Sequence, residues 1–420
     1  MKYSFLDKFV DNIIMFMLVM SGGGMVFIFH RNLAYLLFIA VVMGNFIFFG
    51  KRIISNIFYS SFLTFSLISL LLLLNYFLAI TVQEEKKYAY YITVVFTSVL
   101  VFMHFYNNRN RLVFQYRLYF ILKLIVFHAL ANFLLFFIFK NHLSLVSTFY
   151  HDYNTLFNIF YYPIDKDTVN IFGFEFFRNQ GLFWEPGVLQ VFLNIFFFLE
   201  AFVFKKSKSI LLVTILVIFT TYSTTGMMII FVQLIVFLLN EIKINKWTAP
   251  FFLILLIPFF LVFSLNLEDK IHGEKESSFQ KRLFDLTQPF FMALEHPLSG
   301  IGLDLNQFQD LRKGFYFSSS TLNSIQNNLG IDSKVTGTEK GSSNSIMALL
   351  ACTGFPTTIL FMIMFFRQKI IVEKKWLFMI IITLSVMSVP LLLRPFFFIF
   401  IVSGFMCTFN RIISHKKLLS

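Results

Sequence analysis

"ILLVTILVIFTTYSTTGMMIIFVQLIVFLLN", Ile210 to Asn240, reads either as one long apolar helix or as two short ones joined at "STTG". The choice decides on which side of a membrane everything downstream lies. Two helices keep Lys243, Lys246 and the cluster "RQKIIVEKK" (Arg367 to Lys375) on the side of Lys205, Lys206 and Lys208. One helix would send them across. Because short cytoplasmic loops carry the excess of lysine and arginine, the charge pattern selects two helices.

Outward from this stretch, apolar runs bounded by short charged breaks continue in both directions. The expected spans are Ile13–Phe29, Leu33–Phe49, Phe62–Val82, Ala89–Phe105, Tyr119–Phe139, Phe183–Phe204, Ile210–Tyr222, Gly226–Asn240, Ala249–Leu265, Ser345–Phe366, Trp376–Pro390 and Pro395–Phe409. This predicts an all-α polytopic membrane protein of about 12 transmembrane helices with both termini cytoplasmic. Composition agrees: of 420 residues 57% are hydrophobic and 14% charged, and the mean hydropathy is +0.75. The net charge of +13 comes from short clusters at the ends of apolar runs, not from one basic face, so it reads as a topology signal and excludes a nucleic-acid partner. The 63 phenylalanines suit lipid-facing helices and show no spacing of a stacking platform.

Two long breaks face the outside on this topology, 140–182 and 266–344. They divide the chain into N-terminal helices (1–139), a first external loop (140–182), central helices (183–265), a large external loop (266–344) and C-terminal helices with a tail (345–420). In the large loop, Phe279, Leu283, Phe290 and Leu294 share a helical face, which predicts an interfacial helix stopped by Pro297. The later "SSSTLNSIQNNLGIDSKVTGTEKGSSNS" reads as a flexible lid or loop.

Chemistry concentrates at one threshold. "RNQGLFWEPG", Arg178 to Gly187, places a Pro-Gly pair where a helix begins and a glutamate inside the apolar run that follows. An interfacial tryptophan and a helix-start carboxylate are the structural reading. Yet an ionisable group at mid-membrane costs roughly 2.5 to 3.5 kcal/mol, so Glu185 is a functional candidate. The two cysteines, Cys352 and Cys407, make no disulfide framework or ligand spacing, and no histidine pair is spaced for a metal. No metal and no cofactor is expected.

These residues resemble the O-antigen ligase and polymerase superfamily of bacterial inner-membrane glycosyltransferases. Besides "RNQGLFWEPG", the stretches "TTYSTTG" (Thr220 to Gly226), "HPLSGIGLD" (His296 to Asp304) and "SSNSIMALLACTGFPTTILF" (Ser342 to Phe361) are similar to that family in the same order. The resemblance implies a fold of the GT-C kind in the inner membrane and transfer of a glycan from an undecaprenyl pyrophosphate-linked donor to a lipid-linked acceptor at the periplasmic face. It also implies a possible chain-length regulator as partner, beside the membrane lipids. Such chemistry needs cations for the departing pyrophosphate and a base for the acceptor hydroxyl. By resemblance the cation and substrate-binding roles fall to Arg178 and Arg282, with Arg312, Lys313 and Arg394 as helpers, and Asn344 at the membrane re-entry. For the base the sequence offers Glu185, His296 and Asp304; Glu185 acts so or holds Arg178 in place, and His296 equally suits a helix C-terminus. The ligase branch carries a histidine before its asparagine where this chain has Ser343, which favours a Wzy-type polymerase. The alternatives are an O-antigen ligase that delivers the chain to lipid A-core and, in another class, a polysaccharide flippase or exporter. Convergence of Arg178, Glu185, Arg282 and Arg394 on one cavity would favour the enzyme.

Overall fold

A computed structural model of the chain describes residues 5–48, 53–107, 111–148, 152–164, 168–171, 174–241, 264, 276–304, 306, 308 and 342–419. These residues are mostly helical. The first half contributes α1 (Phe5–Ser21), α2 (Met25–Phe29), α3 (Arg31–Phe48), α4 (Ser55–Leu78), α5 (Glu85–Asn107) and α6 (Arg111–Phe139). The second contributes α7 (Pro186–Phe198), α8 (Lys208–Thr220), α9 (Thr224–Glu241), α10 (Glu276–Glu295), α11 (Ser345–Phe366), α12 (Lys375–Ser388) and α13 (Pro395–Leu419).

Seven of the described helical stretches are long and apolar enough to cross a membrane: Arg31–Phe48, Ser55–Leu78, Glu85–Asn107, Leu112–His142, Pro186–Phe204, Ser345–Phe366 and Pro395–Ser414. Lys208–Thr220, Thr224–Leu239 and Lys375–Ser388 are shorter apolar helices. The chain is a multi-pass membrane protein, and of the about 12 expected spans the described residues hold seven full-length candidates and these shorter helices. The expected span Ala249–Leu265 lies, apart from Ser264, outside the described residues, as does most of the expected lid.

The stretch Ile210–Asn240 is two helices. Helix α8 closes at Thr220, Tyr222 takes a left-handed φ of +45°, and α9 opens at Thr224. The first expected span, by contrast, is broken. Gly22 to Gly24 interrupt Ile13–Phe29 because partners press against the backbone there: a Cβ on Gly22 would lie 2.7 Å from Phe192 Cζ, and Gly23 has a φ of +124°. The opened backbone at Gly24 forms an antiparallel bridge with Phe183.

The first long break is also not a plain loop. β1 (Ser144–Ser147), β2 (Asp152–Leu156) and β3 (Phe160–Tyr162) make an antiparallel sheet, with Ser144 opposite Thr155 and Asn154 opposite Tyr162; β4 (Thr168–Ile171) pairs with β5 (Phe174–Phe177). Tyrosine, threonine and phenylalanine suit these half-buried strands. Tyr153 and Tyr161 pack on Met25 and Trp184, while Val169 and Phe176 pack on Tyr222.

Helix α7 lies at the centre, buried from Val188 to Phe198, with α6, α8, α9 and α12 around it. Phe183 stacks on Phe192 with ring centroids 4.6 Å apart. Helices α3 and α4 instead leave rows such as Leu33, Leu36, Leu37, Leu70 and Phe77 exposed, as a hydrocarbon solvent permits.

Helix α11 is kinked at Gly354 (φ +73°, ψ 177°), ahead of Pro356. The carbonyls freed there are taken by the "HPLSGIGLD" segment: Ile301 N and Gly302 N donate to Ala351 O and Cys352 O, both at 2.9 Å, and Phe355 N donates to Pro297 O at 2.8 Å. The first half of the chain clamps the same segment. Asn75 Nδ2 donates to Ser299 O (2.6 Å), Leu303 N to Tyr88 Oη (3.0 Å) and Asp304 N to Gln83 Oε1 (3.0 Å).

Candidate functional site

The site is built on the Arg178–Gly187 turn. Asn179, buried at its centre, fixes it: its side chain donates to Ala129 O (2.8 Å) and Thr220 Oγ1 (3.0 Å) and accepts from Asn132 Nδ2 (3.1 Å) and Gly181 N (3.1 Å). The turn therefore leans on the break between α8 and α9. Trp184 N donates to Gly23 O at 3.2 Å, and its indole lies over Gly23, where a Cβ would stand 2.9 Å from Nε1. Glu185 is the N-cap residue of α7 in extended backbone, with Pro186 following, so its carboxylate stands at the positive end of the helix dipole.

Two guanidinium groups meet on the α8–α9 break. Arg178 Nε donates to Thr221 O at 3.2 Å, and Arg282, from α10, donates through Nη1 to Thr225 Oγ1 at 3.2 Å. Arg282 keeps an exposed edge, yet desolvation by the surrounding protein and then repulsion from Arg178 lower its pKa, while Glu185 and Asp285 act in the opposite sense. Arg178, Glu185, Arg282 and Asp285 thus form one electrostatic group. Tyr153 joins it: its hydroxyl donates to Trp184 O at 3.1 Å, and burial, then the charge of Glu185, push its pKa up to about 12.

Asp285 carries the group across to the re-entry of α11. Fully buried, it accepts from both Ser343 N and Ser343 Oγ at 2.7 Å. Asn344 caps α11, its Oδ1 accepting from Met347 N at 3.2 Å. Ser345 Oγ donates to Val386 O and Val389 O, which ties this turn to the α12–α13 junction and so to Arg394.

Arg394 occupies a separate corner at the same end. Its Nη1 donates to Tyr90 Oη at 3.2 Å. His296 follows the last residue of α10, where its carbonyl accepts from Gly300 N at 3.0 Å. Fourteen residues separate it from Arg282, about 20 Å of helix axis. Asp304 turns back on itself, its Oδ1 accepting from Asn306 N at 3.0 Å. Arg312 and Lys313 lie outside the described residues. The structure therefore groups Arg178, Glu185 and Arg282, sets Asn344 beside them through Asp285 and Ser343, and holds His296 and Arg394 apart.

Sequence reasoning passed over Asp285, Asn179 and the Gly22–Gly24 break. The glycine triplet was the available signal, since such a run inside an apolar stretch marks close backbone approach. Asp285 offered none, being one carboxylate on an amphipathic helix.

These features define a multi-pass membrane protein in which Arg178, Glu185, Arg282 and Asp285 gather on a turn that opens the central helix. Residues 209–362 match the Wzy_C family, described as O-antigen ligase. That stretch is similar to the O-antigen ligase/polymerase family, whose members are membrane glycosyltransferases acting on lipid-linked glycans. It includes Thr221, Thr225, Arg282, Asp285, Ser343 and Asn344, whereas Arg178, Glu185 and Arg394 flank it. No curated protein and no solved structure matches the chain.

Proposed function

We propose that this protein is a polysaccharide polymerase that joins lipid-linked repeat units of O-antigen or a related surface glycan at the outer face of the inner membrane. The observation that carries the reading is the seating of Arg178 and Arg282 on one turn, with the charge of Glu185 bearing on Arg282. In the reaction an acceptor hydroxyl oxygen bonds to the anomeric carbon while that carbon's bond to the undecaprenyl pyrophosphate oxygen breaks. The electron pair goes to the departing pyrophosphate. Two guanidiniums held beforehand in hydrogen bonds stabilise that charge without reorganising. Glu185 at the rim accepts the hydroxyl proton on this reading, and His296, at the far end of α10, is left as the less suitable base.

The polymerase is favoured over the ligase by Ser343, whose hydroxyl is engaged with Asp285 where the ligase resemblance calls for a histidine. The description of the matching family supports the ligase as second reading. A carrier is supported less. Beside α7 runs a chain of neutral amides, with Asn194 Nδ2 donating to Gln190 Oε1 (3.0 Å) and Gln233 Nε2 to Asn194 Oδ1 (2.9 Å), while the buried ionisable groups Glu200 and the Asp11–His104 pair are engaged with Ser207 N and with each other.

Complementation of a polymerase-deleted strain tests the reading. Wild type is expected to restore a long ladder of surface glycan on a gel, and Arg178→Ala, Arg282→Lys and Glu185→Gln to leave core plus a single repeat at unchanged protein level. Lysine fails because a point charge does not replace the planar fork. Accumulation of long lipid-linked polymer would instead identify ligation, and full ladders in all variants would remove these residues from the chemistry.

A further inference from the structure

A second pair of cations stands at the same end of the bundle and takes no part in the site above. The Arg31 guanidinium lies 4.8 Å from the centroid of the Tyr90 ring, and Arg394 Nη1 donates to the hydroxyl of that same ring. Tyr90 Oη also shares a hydrogen bond with Tyr35 Oη at 3.3 Å. Two guanidiniums therefore converge on one phenol, and among the described residues neither meets a carboxylate. Each has five N–H donors. The contacts of Arg394 with tyrosine occupy few of its donors, and Arg31 is exposed, with its ring contact electrostatic in kind.

The location matters as much as the charge. Arg31 follows α2, the short helix that begins next to the Gly24–Phe183 bridge. Arg394 follows Val389, whose Cγ2 lies 3.6 Å from where a Cβ on Gly187 would be. Both cations are thus carried on elements that touch the Phe183–Gly187 turn. Two cations seated on one tyrosine, with no acid among the described residues, suit an anion with several oxygens, and a diphosphate offers them to two guanidinium forks at once.

We propose that Arg31 and Arg394, with Tyr90 and Tyr35, form a second diphosphate seat, which holds the head group of the lipid-linked acceptor while Arg178 and Arg282 hold that of the donor. The proposal rests on the polymerase reading, because only a reaction between two lipid-linked units brings two polyprenyl diphosphates to one enzyme. A ligase brings one.

The test is the binding stoichiometry of farnesyl diphosphate on the purified full-length protein, by native mass spectrometry and equilibrium binding. Wild type is expected to take two equivalents, Arg31→Gln/Arg394→Gln one, and Arg178→Gln/Arg282→Gln one. Because Arg31 is exposed, Arg31→Gln alone keeps the fold, and it is expected to weaken the second equivalent about tenfold, the scale of a lost charge-assisted contact. Inorganic pyrophosphate is expected to compete, and phosphatidylglycerol in nanodiscs not to. Two full-affinity equivalents in both variants that remove Arg31 would overturn the seat. So would a single equivalent in wild type that only Arg178→Gln/Arg282→Gln removes, an outcome that leaves the proposed function standing. Competition by phosphatidylglycerol equal to that by pyrophosphate would make this an anionic-lipid contact and also overturn it. Loss confined to the Arg31 and Arg394 variants would uphold the seat while removing Arg178 and Arg282 from diphosphate binding.

Discussion

Asn179 and the two arginines near it divide the work at the smallest scale. Arg178 and Arg282 each set a guanidinium donor on the α8–α9 break, whereas every polar atom of the Asn179 side chain is engaged inside the protein. Removing that amide strands buried partners on α6, α8 and the turn itself, each at about 1 to 3 kcal/mol. Asn179→Ala is therefore expected to lower the thermal unfolding temperature in detergent and to abolish the glycan ladder, while Arg178→Ala abolishes the ladder with little change in unfolding temperature. Equal unfolding temperatures for the two variants would contradict this division. The arginines were legible in the sequence as cations at a membrane threshold. Asn179 was not, because an asparagine in "RNQG" looks like any loop polar residue until its partners, 41 to 50 residues away, are in place.

Among the elements, the kinked α11 and the segment threaded against it are the joint on which the site turns. Gly302 (φ +99°) sits where a Cβ would approach the Gln83 amide to 2.2 Å. Gln83 is at the same time the partner of Ile301 O and Asp304 N, so it has nowhere to go without losing both. Gly302→Ala is expected to cost about 2 to 4 kcal/mol through this clash and the left-handed backbone. A thermal unfolding scan in detergent checks it, and an unchanged transition would mean that the joint yields freely. The sequence marked this segment only as a glycine turn. Its pairing with an unwound helix depends on contacts 50 to 58 residues apart, and its clamp from α4, α5 and Gln83 on contacts more than two hundred residues apart, which no local pattern encodes. The α8–α9 break was legible for the opposite reason: charge clusters on either side of it leave one arrangement consistent with the membrane's charge rule. The break at Gly22–Gly24 escaped because apolar runs in membranes tolerate glycine, and the strands of 140–182 escaped because a polar connection announces itself only as a loop.

For the whole molecule the charge pattern predicts an orientation. Arg31, Arg394 and the Arg178–Gly187 turn share one end, which belongs outside, and Lys369 belongs inside. In spheroplasts Asn32→Cys and Leu298→Cys are expected to react with a membrane-impermeant maleimide, and Lys369→Cys only after permeabilisation. The two native cysteines are buried and give little background. Labelling of Lys369→Cys in sealed spheroplasts would invert the topology. On the proposed function, the outer face of α10 bears on how lipid-linked substrates arrive. Leu286, Phe290 and Leu294 present a line of exposed apolar side chains, while Asp285 and Gln288 on the same helix are fully buried. The helix that carries Arg282 thus offers its greasy side outward, as a helix resting in the bilayer does. On the proposed function, a lipid-linked substrate that reaches Arg282 along such a rim never leaves the plane of the membrane, so the protein would sample a surface density and not a volume concentration. Diluting the lipid-linked substrate with inert phospholipid, at constant amount per millilitre, is expected to slow the reaction in proportion to its falling mole fraction; a rate indifferent to added phospholipid would mean that substrates arrive through water.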